Sequence, residues 1–148
     1  MIMGVVADDI TGANDIGIMV AQDGYLVHVY PYSDTGDFAR ANQAPDVAIL
    51  DTNSRLDPPD VAYQKVFNAT RELQAAGCQQ FFNKTCSVFR GNIGVEFDAM
   101  LDALGQEFAV VVLGFPKNGR TTINGIHHVH GKKLEDSEFR NDPAHPMR

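Results

Sequence analysis

The residues best suited to chemistry lie in four stretches of the sequence: Asp8, Asp9, Thr11 and Asn14; Asp51, Asn53, Ser54 and Arg55; Lys84, Ser87, Arg90, Gly91 and Asn92; and Lys117, Asn118 and Arg120. Carboxylates accept hydrogen bonds from hydroxyl groups, while lysine and arginine side chains hold a carboxylate or a phosphate. Together these groups outline a site for a small polyol acid. Each stretch also has an ordinary role. An aspartate before a helix usually caps it, which suits one of Asp8 and Asp9. Asp51, Ser54 and Arg55 can make a turn with a surface ion pair. Arg90-Gly91-Asn92 can be a solvated loop leading into a helix, or an anion cradle built from a guanidinium and backbone N–H groups.

Other chemistries are less well supported. On a regular strand His128 and His130 would share one face and His127 the other, so at most two could serve one metal. No Cys-x-x-Cys or His-Glu-x-x-His pattern accompanies them, and a half-exposed ribbon without metal is the expectation. Cys86 lies among polar loop residues and is a conceivable nucleophile, but no histidine with an orienting partner stands at a recognisable spacing. Neither Gly-x-Gly-x-x-Gly nor the phosphate-binding P-loop pattern occurs, so no nucleotide site is expected in these residues.

The elements that would position these residues are readable from punctuation and period. Ile2 to Ala7 is an apolar run ending at Asp8-Asp9, followed from Thr11-Gly12 by helical spacing through Ala13, Ile16 and Val20 to a stop at Gly24. Tyr25 to Tyr30 reads as a strand ending at Pro31, and Val47 to Leu50 as another ending at Asp51. Pro58-Pro59 opens a helix carrying Val61, Ala62, Val66, Ala69, Leu73 and Ala76, closed by Gly77. A strand at Gln80 to Asn83, a helix from Gly91 to Leu104 and a strong strand at Ala109 to Leu113 follow. Thr121 to Ile126 and His127 to Leu134 are β-like, with a turn expected at Gly131. Strands alternating with helices predict a three-layer α/β/α domain with a mostly parallel sheet, plus a small antiparallel ribbon near the C-terminus. Asn141 to Arg148 has no core-forming pattern and reads as a connection, leaving the domain incomplete. Ligands of such sheets bind at the carboxyl ends of the strands, where the polar stretches fall.

With 148 residues, 44% of them hydrophobic, the chain can bury one core and not two. Its formal charge of −7 argues against nucleic acid or an anionic membrane as the main partner. No apolar run approaches the roughly 20 residues of a membrane span. The start lacks the features of a signal peptide and only two cysteines occur, Cys78 and Cys86, which suits free thiols in the cytoplasm.

Taken as a set, Ala7-Asp8-Asp9-Ile10-Thr11-Gly12-Ala13-Asn14-Asp15, Asp51-Thr52-Asn53-Ser54-Arg55, Lys84-Thr85-Cys86-Ser87, Arg90-Gly91-Asn92-Ile93-Gly94, Phe115-Pro116 and Gly119-Arg120-Thr121-Thr122 resemble the four-carbon acid sugar kinase family. The closing stretch, Gly131 through Leu134, Glu138-Phe139 and Asp142-Pro143, continues the match. Asn53 and Cys86 depart from the acids that many relatives carry there. The resemblance implies a two-domain α/β enzyme whose N-terminal domain binds the sugar acid. A C-terminal domain binds ATP with Mg2+, and a phosphoryl group passes to a terminal hydroxyl of a threonate- or erythronate-type acid. By the same resemblance, this chain is an N-terminal substrate-binding part, residues 1–148, that is not a working kinase alone. Asp8, Asp9, Asn14, Ser54, Arg55, Lys84, Ser87, Arg90, Gly91 and Asn92 form its substrate shell, supported by Arg120. Arg55, Lys84 and Arg90 are then candidates for the substrate carboxylate, and Asp8 or Asp9 for its hydroxyls and for a catalytic role. A homo-oligomer is expected, because an incomplete sheet hides its edge by self-association. The alternatives are a non-catalytic sugar-acid-binding module or sensor, and a hydrolase acting through Cys86.

Overall fold

Val5, Val6 and Ala7 are wholly buried, as befits a strand covered on both faces. A computed structural model describes residues 1–33 and 44–146 of the chain. In it β1 (Met3–Ala7) lies inside a four-stranded parallel sheet of order β2-β3-β1-β4, with β2 at Val27–Pro31, β3 at Val47–Asp51 and β4 at Gln80–Lys84. The register pairs Ala7 with both Asp51 and Lys84. The carboxyl ends of β1, β3 and β4 are therefore level, and the polar residues after each emerge side by side.

Alternate strand residues face opposite helical layers. Val6, Ala48 and Leu50 pack on Val66, Ala69 and Leu73 of α2 (Pro59–Ala75) and on Ala99 and Met100 of α3 (Ile93–Leu104). Val5, Ala7, Val47 and Ile49 pack on Ala13 of α1 (Ile10–Gln22). The three-layer α/β/α arrangement follows from this period-2 alternation in the strands and the apolar stripes of the helices. Pro59 occupies the first turn of α2, where its missing N–H costs no intrahelical bond.

Beyond α3 the structure departs from the sequence reading in two places. Ala109 to Leu113 forms no strand; Val110 is 84% and Val112 85% exposed. About 460 Å³ of open space, walled by Phe81, Phe82, Phe97 and Leu101, lies between β4, α3 and this segment. Hydrophobicity alone does not make a strand: among the described residues this run has no strand paired to its backbone, its Leu113 carbonyl accepting only from the Thr122 hydroxyl, and no second covering layer. The second departure is in the ribbon. It is three-stranded, with β5 (Arg120–Ile123), β6 (Ile126–Val129) and β7 (Lys132–Lys133) in antiparallel order. The expected run Thr121 to Ile126 is broken by Asn124-Gly125, both at positive φ, the signature of a tight hairpin turn. His130-Gly131 makes the second turn, as expected for Gly131, and this removes His130 from the face it would share with His128 on a regular strand.

Candidate functional site

Asp8 follows β1, is only 2% exposed, and meets Arg55 from the loop after β3. Arg55 Nε donates to Asp8 Oδ2 at 2.8 Å and its second terminal nitrogen to Asp8 Oδ1 at 2.9 Å, a two-pronged pair. The remaining terminal nitrogen donates to Asp9 Oδ2. Asp9 also caps α1, its Oδ1 accepting from Gly12 N at 2.7 Å, so the capping role falls to Asp9 and not to Asp8. Burial pushes the Asp8 carboxyl above its ordinary value, with the Arg55 guanidinium pulling the other way and Asp9 adding repulsion. Burial acts to lower the pKa of Arg55, but the Asp8 carboxylate outweighs it and holds the guanidinium firmly charged. Arg55 is thus engaged by two carboxylates and does not face an open anion site.

Beneath this pair runs a buried polar chain. Thr52 Oγ1 lies 2.9 Å from the Ala7 carbonyl and 2.8 Å from Ser54 Oγ, which lies 2.7 Å from Glu96 Oε1 on α3. Glu96 is 1% exposed, and burial lifts its carboxyl to about 7. Asn92 precedes α3 but makes no side-chain cap; its amide donates instead to the carbonyls of Ser54, at 3.0 Å, and Asp57, at 2.9 Å. Asn92 and Ser54 therefore tie the loop carrying Arg55 to the start of α3.

The loop after β4 supplies the other cations. Lys84 Nζ donates to the Thr85 carbonyl at 3.0 Å and sits against Gly12, where an added Cβ would come within 3.2 Å of it. Among the described residues no ion pair engages Lys84, so its ammonium faces the Asp8 side of the site with donors to spare. Arg90 Nε donates to Cys86 Sγ at 3.3 Å and a terminal nitrogen to Asp142 Oδ2 at 3.3 Å, with the guanidinium 5.7 Å above the Phe139 ring. The Gly91 N–H donates to His145 Nδ1 at 3.0 Å. Gly91 has φ +100, and an added Cβ would stand 3.2 Å from the Arg55 carbonyl oxygen, so only glycine lets the two loops touch.

Of the expected shell, Asp8, Asp9, Ser54, Arg55, Lys84, Gly91 and Asn92 converge, and Arg90 borders them through Cys86. Asn14 is exposed on α1. Ser87 is half-buried and presents its carbonyl to His127 Nε2 at 2.8 Å. Arg120 joins only indirectly, standing 5.9 Å from the same Phe139 ring as Arg90. The other nitrogen of His127 contacts Thr122 Oγ1 at 3.1 Å, so neither points at Cys86, which weakens the hydrolase alternative. Among the described residues no group of three or more His, Cys, Asp or Glu side chains converges as a metal site would require. Sequence reasoning missed Glu96, one of three acids on α3, whose other two, Asp98 and Asp102, are exposed. It also missed Phe89, whose φ of +62 is strained for a bulky residue and whose ring meets His127 edge-on at 4.9 Å.

Residues 3–148 match the family described as the sugar-binding N-terminal domain. The chain is 36% identical to a 3-oxo-tetronate kinase of Actinobacillus succinogenes, over 99% of this chain and 36% of that protein. It is 38% identical to a D-erythronate kinase of Heliobacterium modesticaldum, over 97% of this chain and 33% of that protein. With a D-threonate kinase of Salmonella typhimurium it shares 36% identity, over 99% and 34% of the two. A crystal structure of a Haemophilus influenzae protein superposes with a TM-score of 0.89 at 36% identity, covering 97% of this chain and 35% of that one. A Bordetella bronchiseptica domain of unknown function, solved with bound citrate as a domain-swapped dimer, gives 0.90 at 27% identity, covering 100% and 37%. The chain spans about a third of the length of the curated relatives it matches.

Proposed function

Because this chain belongs to the sugar-binding N-terminal domain family, we propose that it is the sugar-acid-binding part of a larger ATP-dependent kinase acting on a four-carbon acid of the threonate, erythronate or 3-oxo-tetronate type. The observation that carries this reading is the convergence of Asp8, Asp9, Arg55 and Lys84 at three level strand ends, with Arg90 alongside. With Arg55 engaged by Asp8 and Asp9, the substrate carboxylate falls to Lys84 and Arg90, the two cations nearest an anion's approach. Substrate hydroxyls donate to Asp9, the more exposed of the two carboxylates that Arg55 orients, with Asp8 held behind it. Ser54 and Asn92 hold the loops and Gly91 lets them approach, while Asn14, Ser87 and Arg120 stand outside this converging set.

These residues do not fit ATP or Mg2+. The described residues contain no glycine-rich phosphate cradle, and Asp8 and Asp9, the carboxylates a cation would need, are already engaged by the Arg55 guanidinium they share. The nucleotide and its metal belong to another part of the larger protein, and phosphoryl transfer to the terminal hydroxyl depends here on positioning and charge. The free thiols of Cys78 and Cys86 suit a reducing cytoplasm. Among the described residues no helix is long and apolar enough to cross a membrane. The apolar exposure along β4 and residues 108–112 favours a homo-oligomer.

A thermal-shift screen of this chain against D-erythronate, D-threonate and their L-isomers tests the reading. One or more should raise the melting temperature saturably, while neutral tetritols of the same length should not. Equal responses to the acids and the tetritols would show that no carboxylate site exists. A bound acid with no phosphoryl transfer by the larger protein would favour the sensor alternative.

A further inference from the structure

Counting hydrogens along the buried polar chain leads to a role for Glu96. The contacts Glu96–Ser54, Ser54–Thr52 and Thr52–Ala7 carbonyl, at 2.7, 2.8 and 2.9 Å, each require one hydrogen. The Ser54 and Thr52 hydroxyls bring one apiece. If Ser54 donates to an ionised Glu96 and Thr52 donates to Ala7, the Ser54 and Thr52 oxygens are left 2.8 Å apart with nothing between them. If Thr52 donates to Ser54 instead, its Oγ1 stands 2.9 Å from the Ala7 carbonyl oxygen with no hydrogen between them, although that carbonyl still accepts from the Thr52 N–H at 2.9 Å. Only a third hydrogen, on the Glu96 carboxyl, satisfies all the contacts.

We propose that Glu96 is protonated in the resting site and acts as its positioning residue. Its acid hydrogen starts a one-way chain, Glu96 to Ser54 to Thr52 to the Ala7 carbonyl, that pins the loop carrying Arg55 to the end of β1. The surroundings agree. Burial is the dominant influence on Glu96 and favours the neutral acid. The charged groups facing it are Asp8 from β1, which also favours the neutral form, and Arg55 from the loop after β3, which opposes it. Ser54, and Asn83 from β4, lie near enough to donate to the carboxyl and pull the other way, although the Asn83 amide makes no hydrogen bond of regular geometry. Ionisation removes one hydrogen from the chain and loosens the loop, so Arg55 no longer holds Asp8 and Asp9 in place.

The test has one arm on protonation and one on ligand binding, and the second rests on the sugar-acid reading. In the first, the chain is labelled with 13C at glutamate side chains, and the Glu96 carboxyl carbon is assigned through its own side-chain correlations. At about pH 5.5, where an ordinary glutamate is over roughly nine-tenths ionised, Glu96 should show the neutral shift and titrate only near neutrality. An ionised signal at that pH overturns the proposal, whatever the ligand does. In the second, D-erythronate is titrated calorimetrically between about pH 6 and pH 8.5. Wild-type affinity should weaken by roughly fivefold across this range. Glu96→Gln, whose amide can still donate to Ser54, should bind with a flat profile, and Glu96→Ala weakly throughout. A Gln variant that keeps the wild-type profile, or binds as poorly as Ala, contradicts the positioning role. Absence of any erythronate binding would count against the sugar-acid reading, with the carbon signal still deciding the protonation of Glu96.

Discussion

Arg90 and Glu96 differ in how visible they are to sequence reasoning and in what each would do to a ligand. Arg90 is half-buried, with Cys86 Sγ and Asp142 as its partners, both of which an incoming carboxylate can displace or supplement. Arg90→Ala should weaken binding of the sugar acid to this chain by at least roughly tenfold, or about 1.4 kcal/mol, as read by calorimetry. Arg71→Ala is the control: Arg71 bridges Gln74 of α2 and the Ala103 carbonyl of α3, away from the strand ends. Equal behaviour of the two variants would return the Arg90-Gly91-Asn92 loop to a solvated helix start. Glu96 makes a claim about pH. Its carboxyl is raised from 4.5 to about 7, so between those values the folded chain holds a proton that the unfolded chain has released. Stability contributed by the neutral acid is therefore present at low pH and lost as pH rises through about 7. The difference corresponds to roughly 3 kcal/mol. The urea midpoint of the wild type should fall relative to Glu96→Gln as pH is raised from about 5 to 8; parallel profiles would contradict the raised value.

At the scale of elements, the parallel sheet and its three helices were legible because each signal was local. Gly24, Gly77 and Gly105 follow α1, α2 and α3 closely, and the apolar stripe Val66, Ala69 and Leu73 lies on the buried side of α2. What stayed hidden depended on partners far along the chain. Ala109 to Leu113 has the composition of a central strand but makes no ladder, and composition cannot report a missing neighbour. Asn124-Gly125 is a strong turn signal that the apolar residues on either side concealed. Among the site residues, the types and positions of Asp8, Arg55 and Lys84 were readable. That Arg55 is bound by Asp8 and Asp9 was not, because the pairing spans 47 and 46 residues. The contact of two loops at Gly91 supplies an element-scale prediction. Gly91→Ala would strain a backbone at φ +100 and press a Cβ against Arg55. It should lower stability by about 1–3 kcal/mol and weaken sugar-acid binding, while Gly94→Ala, with open space around its Cβ, should do neither. Calorimetric melting and ligand titration of both variants decide this.

For the molecule as a whole, the side bearing the site is well organised while the β4 side is not closed. Phe82 is 44%, Phe108 77% and Val110 84% exposed, and β4 is an edge strand, a combination that invites association. Light scattering of the purified chain should show a dimer or larger species, and a monomer at high concentration would contradict the expected homo-oligomer. The central claim is that a four-carbon sugar acid binds where β1, β3 and β4 end. Backbone amide chemical shifts recorded while D-erythronate or D-threonate is added to the chain test it most directly. Saturable shifts should cluster at Asp8, Asp9, Arg55, Lys84 and Arg90 to Asn92, with Gln64, Asn68 and Arg71 on the outer side of α2 unmoved. Saturable shifts centred on α2 or on the β4 side, with the strand ends silent, would contradict it.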